Sequence, residues 1–351
     1  MDWNPPSQPG CREVRPAGSA VGATGARRRF FGIDPRALQF STRGFLASEP
    51  AVVAELERVG GSFAAGHGIA LEDCGPEVLA TRLDTIEPRY RGFAYEGAGL
   101  ALELLDTISP LRRDRLPRFL AGGGASHTYM VHIGAGWLWA RLRLGPDRRR
   151  RRLDPTLGWL ALDGFGFHEG FFHTERTVFR QRTPRSMRGL RLAVFDAGLG
   201  RCLWFVFAAD PNAIGDCIDG FPVERRADLW AGSGLACCYA GGVGDDGVAR
   251  LVERAGRHRD ALAQGAAFAA KARARAGIPT EHTERAVERI CGAPVDFVAK
   301  VCDVELENAT QSEPEVPGRP RFEQWRAAIR AHFARQWALD GSRKPAAEVA
   351  Q

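Results

Sequence analysis

The chain is expected to be mainly α, an arched α-solenoid-like stack of helical hairpins repeating about every 33 residues, with a mixed α+β architecture as the alternative. Three observations support this. Glycine returns at near-constant spacing, at Gly97, Gly136, Gly170, Gly200, Gly232 and Gly265. Three residues after each glycine stands Leu100, Trp139, His173, Leu203, Leu235 or Phe268, and four after stands Ala101, Ala140, Thr174, Trp204, Ala236 or Ala269. Those positions form one apolar column and one mostly small column, as two antiparallel helices per repeat require when small residues let neighbours approach closely. The third observation is Asp260 to Ala276, unbroken helical text stopped by Gly277 and Pro279. The 41 glycines keep the α+β alternative open, since glycine disfavours helix interiors. Tetratricopeptide signature positions do not recur at fixed offsets.

Taken in order, residues 1–40 read as a loose tail, rich in Pro, Gly and Ser up to Arg27-Arg28-Arg29 and too polar to order itself. Residues 41–305 form the repeat domain. Its first helix is expected from Ala47 to Val59, with Ser48 as N-cap and Pro50 in the first turn, and a second from Pro76 to Asp84. Toward the end come helices over Arg250 to Arg254, Asp260 to Ala276 and Thr283 to Cys291, the last closed by Gly292. Residues 306–320 read as a polar, proline-containing linker. Residues 321–351 hold an amphipathic helix marked by Phe322, Trp325, Ile329, Phe333 and Trp337, expected to dock back on the body, and a tail.

Composition excludes several classes. No stretch approaches the roughly 20 apolar residues of a membrane span, and the first residues lack the basic and apolar regions of a secretory signal, so a cytoplasmic location is expected. Eight scattered cysteines without a C-x-x-C pair read as buried thiols. The net charge of +6 raises nucleic-acid binding, but 42 acidic residues are interspersed and all but Lys271, Lys300 and Lys344 of the 48 basic residues are arginine. Arg148 to Arg152 lacks a groove-reading or stacking pattern and reads as a solvated loop, so no nucleic-acid partner is expected.

The chemistry concentrates in Asp163-Gly-Phe-Gly-Phe-His168-Glu169-Gly-Phe-Phe-His173. His127 with His132, and His168 with His173, are five apart, which on a helix sets the imidazoles about 140° from one another. Metal chelation needs i,i+4, so no metal and no cofactor is assigned. Glu169 and His173 do stand at i,i+4, and Arg176 and Arg180 continue that face, an arrangement that can hold a tautomer and serve acid–base chemistry. His173 sits in an apolar column and is expected to face the interior, where an unpaired polar group costs about 1–3 kcal/mol. The catalytic candidates are therefore Glu169, His173 and Arg176. Glu96, His132 and Asp196 are polar entries in other columns; with Trp139, Asp163, Phe167 and His168 they are the candidate substrate-binding residues, converging on a cavity lined by aromatics such as Tyr95, Tyr129, Trp137, Trp159, Phe165, Phe171 and Phe172. Gly122-Gly123-Gly124 lacks the lysine of a phosphate loop and reads as a turn.

Six blocks, RGFAYEGAGLAL (91–102), FLAGGGASHTYMVHIGAGWLWARL (119–142), LALDGFGFHEGFFH (160–173), DAGLGRCLWFV (196–206), FPVERRADLWAGSGLACCYAGGV (221–243) and AQGAAFAAKARARAG (263–277), together resemble the bacterial UnbL-type family, a domain of unknown function encoded in enediyne polyketide gene clusters. The likeness covers about residues 40–305. It implies association with an iterative polyketide synthase that makes a linear conjugated polyene, and with later maturation of the product. It supplies no catalytic residues.

The resulting expectation is an accessory protein of enediyne or polyene biosynthesis that binds and helps modify a linear polyene intermediate, with Glu169 and His173 as acid–base pair and Arg176 as anion or carbonyl contact. The alternative is a non-catalytic helical scaffold or chaperone for the synthase or sister maturation proteins, and the sequence leaves the choice between enzyme and scaffold open.

Overall fold

The computed structural model describes residues 18–47, 49–311 and 319–343. These residues form α-helices joined by short 3₁₀ and π turns, with no strand among them, so the chain is mainly α. In order the helices are α1 (Gly18–Phe31), α2 (Phe40–Arg43), α3 (Pro50–Ala70), α4 (Pro76–Leu83), α5 (Pro88–Ile108), α6 (Arg115–Ala121), α7 (Thr128–Arg141), α8 (Pro146–Arg150) and α9 (Leu160–Phe172). They continue with α10 (Leu190–Val206), α11 (Pro211–Asp219), α12 (Val223–Ala240), α13 (Asp245–Ala255), α14 (Arg259–Ala276), α15 (Glu281–Cys291), α16 (Val295–Gln311) and α17 (Arg321–Arg343).

Local chemistry sets most of the boundaries. Proline occupies the first turn of α3, α4, α5, α8 and α11, where its missing N–H costs nothing. Gly277 and Gly292 close α14 and α15 in the left-handed conformation that glycine adopts without strain. The first long helix begins at Pro50 behind Glu49 and runs to Ala70, beyond the expected Val59; Ser48, expected as its cap, lies outside the described residues.

Seven helices, α3, α5, α7, α9, α10, α12 and α14, form a row in which each packs against the next. The device behind the row is a pair of glycines two residues apart. Gly97 and Gly99 in α5, Gly134 and Gly136 in α7, Gly164 and Gly166 in α9, Gly198 and Gly200 in α10, and Gly232 and Gly234 in α12 each place one glycine against either neighbour. Residues two apart on a helix point roughly 200° from one another, so one glycine serves each side. A Cβ on any of them would come 1.7 to 2.3 Å from a carbonyl oxygen of the facing helix. The contacts are reciprocal: Gly66 meets Ala94 while Gly97 meets Phe63, and Gly166 meets Phe195 while Gly198 meets Asp163. Partner numbers rise on one helix as they fall on the other, so neighbours run antiparallel.

This corrects the register of the repeat. Gly97 and Gly232 are the first glycine of their pair and Gly136 and Gly200 the second, while Gly170 belongs to neither and meets the side chains of Leu199 and Cys202. His173 is therefore not the counterpart of Leu100 or Trp139.

The row folds over on itself. The Phe63 ring of α3 lies 4.3 Å from Trp137 of α7, the Phe93 ring of α5 lies 5.2 Å from Tyr239 of α12, and Arg273 of α14 donates to the carbonyl of Pro88 at the start of α5 at 3.5 Å. Segments outside the row close the interior. On one side Leu38 and Phe40 are buried, and Phe45 packs edge-on against Phe171 at 5.0 Å. On the other, α17 buries Phe322, Trp325, Ile329 and Phe333, with Trp337 half-buried, as its sequence pattern anticipates. Arg326 and Arg330 of α17 pair with Asp228, and Trp325 Nε1 donates to the carbonyl of Cys302 at 2.8 Å.

The flanking spans differ in detail from their expected character. Residues 18–31, within the expected loose tail, are helical as α1: Arg28 pairs with Glu72 at 2.5 Å, and the Phe31 carbonyl contacts the buried His67 at 2.9 Å. The helix α16 runs to Gln311, into the expected linker. Arg148 to Arg152, expected as a solvated loop, is partly helical and engaged. Arg149 donates to Glu103 at 2.6 Å and to Thr107, and the Arg150 guanidinium stacks 4.1 Å over Trp159.

Candidate functional site

The residues of α9 divide by direction. Gly164 and Gly166 are taken up by contacts with α7 and α10. Asp163 and Phe167 point into the folded row, and His168, Glu169, Phe171 and Phe172 stand at the C-terminal end. The helix stops at Phe172, with the His173 amide donating to the Glu169 carbonyl, and a π-helical turn follows over Glu175–Phe179. Gln181 then takes a left-handed φ of 52°. Such irregular backbone is frequent at functional sites.

That turn brings Arg176 back onto Glu169, where it donates to Oε2. The other carboxylate oxygen lies 3.5 Å from His168 Nδ1 and 3.8 Å from His173 Nε2, within electrostatic reach and too long for strong hydrogen bonds. Burial works to raise the Glu169 pKa, but His168, Arg176 and His173 outweigh it, and the carboxyl is held below its usual range. Burial lowers the pKa of His168 despite Glu169 beside it, so that imidazole is neutral at pH 7. His173 differs from expectation: its side chain is 44% exposed and faces an open groove instead of the interior. The helix ends one residue before it, which turns it away from the face it would occupy on a continued helix.

The groove has a volume of about 570 Å³ and is lined by Thr42, Arg43, the stretch from Phe171 to Arg176, Arg180 and Arg182. Phe171 and Phe172 give it an apolar wall, and the Arg43 guanidinium lies 5.3 Å over the Phe172 ring. Phe171 also lines a cavity inside the row, together with Phe63, Trp137, Phe167 and Phe205. This inner space is about 40 Å³, measured as room for the centre of a water molecule, enough for one or two waters. A second interior cavity, of about 20 Å³, lies between Ile133, Leu235, Phe268 and Trp325.

Beside the larger inner cavity is a buried charged cluster. Arg201 of α10 donates to Asp163 through Nε at 2.8 Å, holds Nη2 2.6 Å from the same carboxylate oxygen as an ion pair without hydrogen-bond geometry, lies 3.7 Å from Glu96, and stacks 4.9 Å over Phe167. Trp137 Nε1 donates to Glu96 at 2.9 Å. Burial raises the pKa of Glu96 to about 7 and pushes Asp163 upward as well. Burial opposes the charge on Arg201, but Asp163 and Glu96 outweigh it and the guanidinium stays protonated.

The candidate residues thus fall into two groups and three outliers. Glu169, His173, Arg176 and His168 gather at the groove. Glu96, Asp163 and Phe167 gather around Arg201. Trp137 joins the groups, with its ring 5.2 Å from Phe167 and 5.8 Å from His168. His132 is buried elsewhere, with Nδ1 2.7 Å from the Thr128 carbonyl. Trp139 donates to Glu103, and Asp196 pairs with Arg225 at 2.5 and 2.9 Å. Sequence reasoning missed Arg201, Arg43 and Arg182. Arg201 carried a signal, a charge inside the otherwise apolar helix DAGLGRCLWFV; Arg43 and Arg182 carried none, being separate arginines in a chain full of them.

Among the described residues neither histidine pair belongs to a group of three or more His, Cys, Asp or Glu side chains able to hold one metal ion. Among the described residues no helix is long and apolar enough to cross a membrane. Comparison with curated proteins finds no match, and comparison with solved structures finds none. A family model described as protein of unknown function (DUF1702) matches residues 23–333, a span that takes in the segments closing both sides of the row as well as the row itself, and the chain belongs to that family.

Proposed function

We propose that the protein binds an elongated apolar ligand in the groove at the C-terminal end of α9, and that it is a cytoplasmic accessory protein of polyketide biosynthesis acting on a linear conjugated polyene. The observation that carries the binding reading is the position of Phe171, which walls both the groove and the aromatic-lined inner cavity. A volume of about 570 Å³ falls in the ordinary range for small-molecule sites. The inner cavity is too small for a polyene, so the ligand lies along Phe171 and Phe172 in the groove. The biosynthetic setting, an iterative synthase and its sister maturation proteins as partners, follows from the six-block resemblance to the UnbL-type family.

In this reading Glu169, held as a carboxylate, acts on His173 through its charge at 3.8 Å, and the exposed imidazole faces the ligand and exchanges a proton with it. Titration with a linear conjugated polyene, followed by its visible absorption, tests the proposal on wild type, Phe172→Ala and His173→Leu. The expected result is a saturable shift in wild type that weakens when Phe172 is truncated and changes when His173 is replaced. An absorption spectrum unchanged by wild-type protein would defeat the proposal and favour the scaffold alternative.

A further inference from the structure

We infer that the groove selects ligands carrying an oxyanion, a carboxylate or a phosphate, at one end of the apolar chain. This rests on the binding reading above and adds the chemistry of the head group. Four guanidinium groups line the groove, those of Arg43, Arg176, Arg180 and Arg182. Two are neutralised by the protein itself: Arg176 by Glu169, and Arg180 by Glu175 at 2.9 Å. Arg43 and Arg182 have no carboxylate partner among the described residues, and Arg43 Nε is buried without a hydrogen-bond partner.

Two unpaired guanidiniums in one groove repel each other and attract any anion that can reach both. Guanidinium forks match the paired oxygens of carboxylate and phosphate, and Arg43 is steadied for that role by stacking on Phe172. Phe171 and Phe172 supply the apolar wall beside these charges, so the same groove offers one surface to a chain and another to its charged end. A neutral hydrocarbon would use the wall and leave the arginines idle. A small inorganic anion would use the arginines and leave the wall idle.

The test uses parinaric acid, a fluorescent conjugated fatty acid, with its methyl ester and decyl phosphate as second and third probes, on the full chain. The expected result is that the acid or the phosphate binds at least about tenfold more tightly than the ester, the gain of one charge-assisted hydrogen bond. Arg182→Gln, at an exposed position with no partner to lose, is expected to remove most of that preference, and Arg43→Lys to retain part of it. Which of the acid and the phosphate binds more tightly identifies the natural head group. Equal binding of ester and acid overturns the inference while leaving the apolar-ligand reading in place. Absence of binding by all three probes overturns both. Preference for the acid that persists in both Arg182→Gln and Arg43→Gln also overturns it, by moving the anion contact elsewhere.

Discussion

A methyl group on Gly136 would lie 1.7 Å from the carbonyl oxygen of Ala161, and Gly164 returns the contact with 1.9 Å to the carbonyl of Ile133. The obstacle in both directions is backbone, which cannot rotate away as a side chain can. Gly136→Ala is therefore expected to destabilise the fold by about 3 kcal/mol, the upper range of overpacking. Gly61, exposed within α3 with nothing near a prospective Cβ, is the control. Gly61→Ala is expected to stabilise by about 0.5–1 kcal/mol through helix propensity. Denaturant unfolding of the two variants measures both, and equal effects would remove the glycine pairs as the basis of the row.

Arg201 is the guanidinium that both Glu96 and Asp163 face. Arg201→Met is expected to cost about 3–5 kcal/mol, because it leaves two buried carboxyls without their partner. In a Glu96→Gln, Asp163→Asn background the same change should cost much less. A double-mutant cycle by chemical denaturation reads the difference; additive effects would mean that the cluster is not coupled.

The pH dependence of Glu96 has a definite sign. Its folded pKa of about 7 lies above the ordinary value of 4.5, so the native state keeps a proton that the unfolded chain releases between those values. Its contribution to stability is full below pH 4.5 and is lost as pH rises through 7. Glu96→Gln lacks this loss. The stability of the variant relative to wild type should therefore rise across that window by on the order of 3 kcal/mol. The buried histidines His67 and His132, whose pKa values are lowered by burial, tilt stability the other way, but they are common to both proteins and cancel in the comparison. A flat difference between pH 4.5 and 8 would contradict the assignment.

Because His173 is exposed at the end of α9, His173→Leu should change stability by no more than about 0.5 kcal/mol. An apolar interior column would instead have been better filled by leucine. Glu169→Gln, which weakens the pairing with Arg176 and the two histidines, should cost more. Thermal unfolding of the two variants distinguishes these outcomes.

The close grouping of Glu169, His173 and Arg176 was legible because all three lie within eight residues, although a π turn, not the continued helix face expected, brings Arg176 back. The partnership of Glu96, Asp163 and Arg201 was not, since it joins three helices whose side chains meet only when the row folds over. His132, Trp139 and Asp196 are polar or polar-tipped groups in apolar surroundings, which marks them as buried. The structure gives each a local partner away from the groove, Thr128 for His132 Nδ1, Glu103 for Trp139 and Arg225 for Asp196, while His132 Nε2 stays buried without one.

By itself the sequence determined what depends on neighbours along the chain. The helical class, the proline starts, the Gly277 and Gly292 stops and the apolar face of α17 all follow from φ restriction, missing N–H groups and a period of 3.6 residues. Glycine recurrence pointed to close helix packing for the same reason, since a residue without a Cβ is costly in a helix unless something needs the space. Tertiary structure alone decided which glycine faces which carbonyl, because a pair two residues apart serves opposite neighbours and either member can imitate the repeat. It also decided that His173 faces solvent, that Arg201 holds two acids together, and that Arg43 and Arg182 share one groove. Burial and charge pairing are properties of the space between elements, and the chain writes that space only through contacts between residues far apart.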